Sequence, residues 1–257
     1  MIHHFVRNSK WDEYNMERII NRLLAVTLVG VVFFGGIAFL LRNSRHDTVS
    51  QGENYFDICD YIDIDLQRLD VTIIPSDGDE IRVSYKNDLP LDFGFGDNSL
   101  SITESKDFVV SLFAGSESEF GLYLYLPERS YREVSITTGT GNVRIGRVDS
   151  ELLNILTESG DIDCEDMVSL GRLTTTDGFI SVNFEAVMSG TEILSRRGNA
   201  EIKLPADAST AVDFRTEEGE CVTDLWVGQF YGSHLYSLNG GDKLIYAAVE
   251  RGTLTIK

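Results

Sequence analysis

Beyond residue 42 one pattern dominates the chain: a short alternating strand, a polar turn holding glycine, then another alternating strand. The turn glycines are Gly78, Gly96, Gly115, Gly141, Gly160, Gly178, Gly198, Gly219 and Gly241, spaced by 18, 19, 26, 19, 18, 20, 21 and 22 residues. A last turn at Gly252 follows only eleven residues on. Spacing this regular is the mark of a repeat architecture, in which each unit buries its apolar face only against its neighbours. The flanking segments alternate as half-buried strands do, as in Val143-x-Ile145, Ile162-x-Cys164, Ile180-x-Val182-x-Phe184 and Ala200-x-Ile202-x-Leu204. The opposite positions hold Ser, Asp, Glu, Arg and β-branched Thr, including Thr137, Thr138, Thr174, Thr175 and Thr176. No stretch after Arg42 has helical periodicity with caps, so an all-β domain is expected. A sandwich or barrel also accommodates short, evenly spaced strands. A fixed period favours a single-stranded β-solenoid, because stacked coils must present the same inward positions to one another.

The N-terminal region is of another kind. Leu23–Leu41 runs for 19 residues without a charge. As a helix it spans roughly 28 Å, close to the ~30 Å hydrocarbon core of a bilayer. A buried core helix would need helical neighbours that the rest of the chain does not supply. A cleaved signal peptide would have a shorter apolar run and an A-x-A site after it. An uncleaved signal anchor is therefore expected, with the bilayer as its partner. Arg7, Lys10, Arg18 and Arg22 precede the run, and only Arg42 and Arg45 follow closely. The positive-inside rule then gives a single-pass protein of the cell membrane, N-terminus cytoplasmic and C-terminal domain extracytoplasmic. The expected organisation is a cytoplasmic segment over 1–22, a transmembrane α-helix over 23–41, a linker over 42–54 and the β-solenoid over 55–257.

Charge narrows the function classes. The chain holds 22 Lys+Arg against 41 Asp+Glu, a net of −19. Four of those bases and three of those acids precede residue 23, leaving 18 against 38 for the remainder. Such a surface repels phosphate backbones, so nucleic acid is excluded as a partner.

The series TTGTGNVRI, LTESGDIDC, TTTDGFISV and RTEEGECVT, within 134–257, resembles the bacterial "putative adhesin" family with DUF4097-type repeats, which includes LiaG-like membrane-anchored proteins. The likeness is looser over 57–127. It implies one N-terminal membrane helix and an extracytoplasmic β-solenoid, and it brings no catalytic residues with it.

Chemistry-bearing motifs are sparse. Beyond the apolar run the histidines are His46 and His234, and the chain has no G-x-S-x-G elbow, H-E-x-x-H or P-loop. No enzymatic activity, catalytic residue, cofactor or metal-ligand set is expected. Cys59, Cys164 and Cys221 lack metal spacing and read as small apolar filler. Acids cluster at Asp57–Asp65, Asp161–Asp166 and Glu217–Glu220, and a solvated outer face accounts for them better than a calcium cage. The segment Trp226–Leu238 breaks the repeat and concentrates Trp226, Phe230, Tyr231, His234 and Tyr236. These five are the candidate partner-binding residues, since aromatic, low-charge surface typifies interface anchors. The competing account is a cap over the last coil, which open-ended solenoids need. Leu91–Gly96, with Phe93 and Phe95, is a weaker candidate of the same kind. The function expected is a membrane-anchored extracytoplasmic interaction or scaffold protein, an accessory subunit of an envelope-stress or transporter-associated complex with protein partners in the membrane or envelope. The alternative is a cell-surface adhesin for a glycan or host ligand.

Overall fold

The computed structural model describes residues 50–87, 90–104, 120–169, 171–225, 229–230 and 232–257. Residues 50–257 form one compact unit. The expected anchor at 23–41 lies outside the described residues, as does the segment before it. Among the described residues no helix is long and apolar enough to cross a membrane. All regular structure there is β, in nineteen strands. The first of them, β1 (Ser50–Phe56), reaches into the expected linker.

Each coil of the solenoid contributes one strand to each of two faces. Four coils stack in chain order: β8 (Ser130–Thr138) with β9 (Val143–Ile145), β10 (Asp149–Ser159) with β11 (Ile162–Met167), β12 (Arg172–Asp177) with β13 (Ile180–Phe184), and β14 (Thr191–Arg197) with β15 (Ala200–Lys203). Successive members pair in parallel on both faces. Parallel register puts like on like. On the first face Ile136, Ile155, Leu173 and Ile193 form one buried column. On the second face Ile145, Cys164, Val182 and Ile202 form another. Each such aliphatic side chain contributes about 1.5–3 kcal/mol by burial.

Chain order fails at both ends. The last strand, β19 (Lys243–Ile256), does not lie outermost. It inserts between the β14–β15 coil and the long strand β16 (Thr210–Thr223), parallel to both. The first coil, β2 (Tyr61–Leu66) with β3 (Asp70–Ser76), is likewise enclosed. It lies between the β8–β9 coil and the coil of β6 (Ser99–Glu104) and β7 (Gly121–Pro127). Stacking in sequence order therefore holds only in the middle. Antiparallel strands finish the stack. At one end β5 (Leu91–Gly96) pairs with β6, and β4 (Ile81–Asn87) with β7, with β1 outside β4. At the other, β17 (Gln229–Phe230) and β18 (Ser233–Leu238) pair with the two halves of β16.

The corner between the two faces explains the repeat signature. Gly141, Gly160, Gly178, Gly198, Gly252 and Gly219 stack in that spatial order. A Cβ on any of the last five would collide with the carbonyl oxygen of the glycine before it. Gly252, out of step in the sequence, is thus a true member of the column. Gly78, Gly96 and Gly241 are not members. Gly96 is the last residue of β5, and the hairpin to β6 turns on Asp97 and Asn98 at φ 50° and 62°, a two-residue turn needing positive φ.

Three residues before five of the six column glycines stand Thr138, Thr157, Thr175, Ser195 and Thr216, with Val249 before Gly252, all buried. Thr138 and Thr175, expected on the outer polar surface, instead point inward. Their hydroxyls donate to the carbonyls of Gly141 (2.8 Å) and Gly160 (3.1 Å), which offsets the cost of taking a hydroxyl out of water.

Candidate functional site

The ends of the solenoid are closed by aromatic side chains. At the β18 end, His234 and Tyr236 point inward over buried Phe214, with ring centroids at 5.4 and 6.0 Å, the latter nearly parallel. Register explains this, since Phe214 pairs with His234 and Val212 with Tyr236. The outward positions of β18 are Ser233, Leu235 and Ser237, and Leu235 is 68% exposed. Phe230 lies in β17 opposite Cys221. Trp226 and Tyr231 fall outside the described residues. Of the five candidates, the structure therefore brings His234 and Tyr236 together, as parts of a lid over the core.

At the opposite end Phe56, Tyr85, Phe93 and Phe95 form the matching cluster, with centroids 5.4–6.0 Å apart. Here β5 comes from one face and β1 and β4 from the other, so the rings bridge the gap between them. Glu104 anchors the same end. Its buried carboxylate accepts the amides of Gln67 (2.6 Å) and Arg68 (3.1 Å) and the Asn87 side-chain amide (3.4 Å).

All three cysteines are free thiols and buried. Burial pushes the Cys221 thiol up to about 12 and raises those of Cys164 and Cys59. Such thiols are poor nucleophiles.

A cleft of about 270 Å³ opens at the second corner, lined by Pro75, Leu126, Arg129, Tyr131, Arg147 and Val148. The Tyr131 hydroxyl donates to the Pro127 carbonyl (3.0 Å), and burial pushes its pKa up to about 12. Both guanidinium groups are engaged, Arg129 with Asp60 and Arg147 with Glu185 (3.5 Å). A hydrogen bond from Asn98 and the Arg129 charge hold the Asp60 carboxyl below its usual range.

The outer faces are laced by ion pairs between coils. Arg144–Asp163 (3.8 Å), Arg251–Glu218 (2.9 Å) and Arg197–Asp177 are three of them. Each is exposed and contributes at most about 1 kcal/mol. Several acids of the sequence clusters are used in this way. Among the described residues no group of three or more His, Cys, Asp or Glu converges as metal ligands would.

The second face carries a patch that the sequence reading did not single out. Tyr55, Tyr123 and Tyr125 point outward on β1 and β7, and the Arg82 guanidinium lies 3.7 Å from the Tyr125 ring centroid. The strand YLYLP reads as plain alternation, and the one local signal was a glycine, Gly121, two residues before Tyr123.

A family model described as Toastrack DUF4097 matches the chain twice, over residues 59–167 and 128–256. The chain belongs to the Toastrack DUF4097 family. The two matches overlap on the β8–β11 coils, consistent with a repeat that can be aligned in more than one frame. Solved structures similar to this Toastrack chain include a "putative cell adhesion protein" from Clostridium sporogenes, 13% identical over 81% of this chain and 99% of that one, TM-score 0.44. Another is a "putative adhesin" from Bacteroides fragilis, 14% identical over 81% and 96%, TM-score 0.40. No curated protein matches this chain.

Proposed function

We propose that this Toastrack chain is a non-enzymatic interaction protein, held in the cell membrane by 23–41, whose solenoid is displayed outside as a rigid binding surface. The supporting observation is how the solenoid spends its polar groups. Threonine hydroxyls, Asx side chains and many surface charges bond from coil to coil, giving stiff, flat faces between two aromatic lids. Such faces suit recognition by surface complementarity. The anchor rests on the uncharged run and its basic flank. Full-length protein should sediment with membranes, resist alkaline carbonate extraction and expose a C-terminal epitope to antibody on intact cells. A carbonate-soluble chain, or an epitope reached only after lysis, overturns the proposal.

Two finer readings share this frame. In the first the protein is a scaffold within an envelope-stress or transporter-associated complex, and an integral membrane complex co-purifies in mild detergent. In the second, favoured by the exposed tyrosines of the second face, it is an adhesin for an external ligand.

A further inference from the structure

The tyrosine patch has a geometry that specifies a ligand chemistry. Tyr123 is 45% exposed and is flanked across the ladder by two small residues, Ser84 on β4 and Thr72 on β3. A Cβ on Gly121 would lie 3.5 Å from Cε2 and 3.8 Å from Cζ of Tyr123. The ring therefore reclines along its own strand over the glycine. Beside that bare backbone it is left half exposed. Beyond Ser84 stands Glu53, which accepts hydrogen bonds from the Tyr55 hydroxyl and the Arg82 guanidinium, each at 3.2 Å. On the opposite side, across Thr72, lies a depression of about 140 Å³ walled by Asp70, Asn142, Arg144, Asp161 and Asp163.

A flat, exposed aromatic ring beside a shallow well of donors and acceptors matches the two sides of a pyranose. One side is a patch of C–H groups that stacks on a π-face, and the rim is a ring of hydroxyls that needs polar partners. We propose that Tyr123 and the Asp70–Arg144 depression form a subsite for one pyranose unit of a neutral glycan. Other occupants fit less well. A peptide adding a strand needs a free edge, whereas β7 is paired on both sides, to β4 and β3. An anionic polymer or lipid surface would meet a chain of net charge −19. The well itself holds one cation, Arg144, against the three carboxylates of Asp70, Asp161 and Asp163, so it too is net anionic and suits the hydroxyls of a neutral ligand better than an anion.

The subsite deepens the display proposal and rests on it. Its test uses the full-length chain in lipid nanodiscs, titrated calorimetrically with cellohexaose, chitohexaose and mannohexaose. At least one should bind. Tyr123→Ala should then weaken it about tenfold, the worth of a stacked ring, and Tyr123→Phe should hold it within about threefold, because the π-face remains. Asp163→Ala should weaken binding without changing the unfolding midpoint by more than a surface substitution does. Absence of binding by all three sugars up to about 10 mM overturns the subsite, as does binding indifferent to Tyr123→Ala. Capture of a protein or anionic vesicle through the same residues, with no sugar bound, overturns it too. Surface accessibility of the epitope is a separate readout. A displayed chain that binds no sugar removes the subsite and leaves the display proposal standing.

Discussion

Asn142 and Asp161 occupy the same corner position on neighbouring coils, and Oδ1 of Asn142 accepts the backbone amide of Asp161 at 2.9 Å. The relation repeats along the column. Asp70 serves Asn142 (2.8 Å), Asp161 serves Phe179 (2.7 Å) and Asn199 serves Thr253 (2.8 Å). After Gly141, Gly160 and Gly198 the next residue is thus an Asn or Asp whose side-chain oxygen satisfies the neighbouring coil, whereas Phe179, Glu220 and Thr253 stand at that place after the other column glycines. Asp161→Ala should lower stability to urea by about 1 kcal/mol, the net worth of one hydrogen bond, while Asp161→Asn keeps the acceptor and should change it far less.

The glycine column admits no Cβ, whereas a Cβ on Gly96 has nothing within 4 Å. Gly160→Ala should destabilise by about 1–3 kcal/mol, as overpacking does. Gly96→Ala should stay within about 0.5 kcal/mol. Equal denaturation midpoints for the two variants would contradict the column.

Glu104 ties the turn after β2 to the ends of β4 and β6. Glu104→Ala should cost about 3 kcal/mol, because it removes the carboxylate that accepts from two backbone amides and from the Asn87 side chain. Glu104→Gln retains an acceptor oxygen and should fall between. Hydrogen exchange should report the loss first at Gln67 and Arg68.

Burial keeps the Cys164 and Cys221 thiols protonated to higher pH than in the unfolded chain, where the value is 9.0. A raised folded-state pKa gives stability that is whole below pH 9 and declines as pH climbs toward the folded value. Stability should therefore fall above pH 9, and less steeply in a Cys164→Ala/Cys221→Ala variant. At pH 8 a thiol reagent should leave the native chain unlabelled and react with all three cysteines once guanidinium unfolds it.

Asp60 behaves in the opposite sense. Its carboxyl is held below the ordinary 3.8 by Asn98 and Arg129. The stabilisation is whole above that value and is lost as pH falls through the lower folded one. Asp60→Ala should therefore flatten the decline in stability between pH 4 and pH 2, measured by denaturant titration at each pH.

What the sequence disclosed followed from local chemistry. The alternation around Ile145, Cys164, Val182 and Ile202 identified inward positions correctly, because parallel register imposes the same demand on every coil. The glycines misled wherever a different turn used the same residue. Gly241 extends the period arithmetically, yet Gly252 is the one that stacks. No local signal announces that β19 slips between β15 and β16, since the pairing is decided by which neighbour a strand meets. Thr138 and Thr175 read as surface residues because the carbonyls that receive their hydroxyls belong to a corner visible only in three dimensions. His234 and Tyr236 were found as an aromatic concentration, and their inward direction came from register with Val212 and Phe214. Tyr123 was missed because its exposure depends on the bare backbone of Gly121 and the small side chains across the ladder.

The enclosed placement of β2–β3 and β19 leaves the middle of the stack, among the described residues, as the region that can change length freely. A duplicated unit of about twenty residues between β8 and β15 would preserve both lids and both interleaved ends. It would extend each face by one strand spacing, about 4.8 Å. The fold thus works as a ruler, in which the number of central coils sets how far one end of the domain stands from the other.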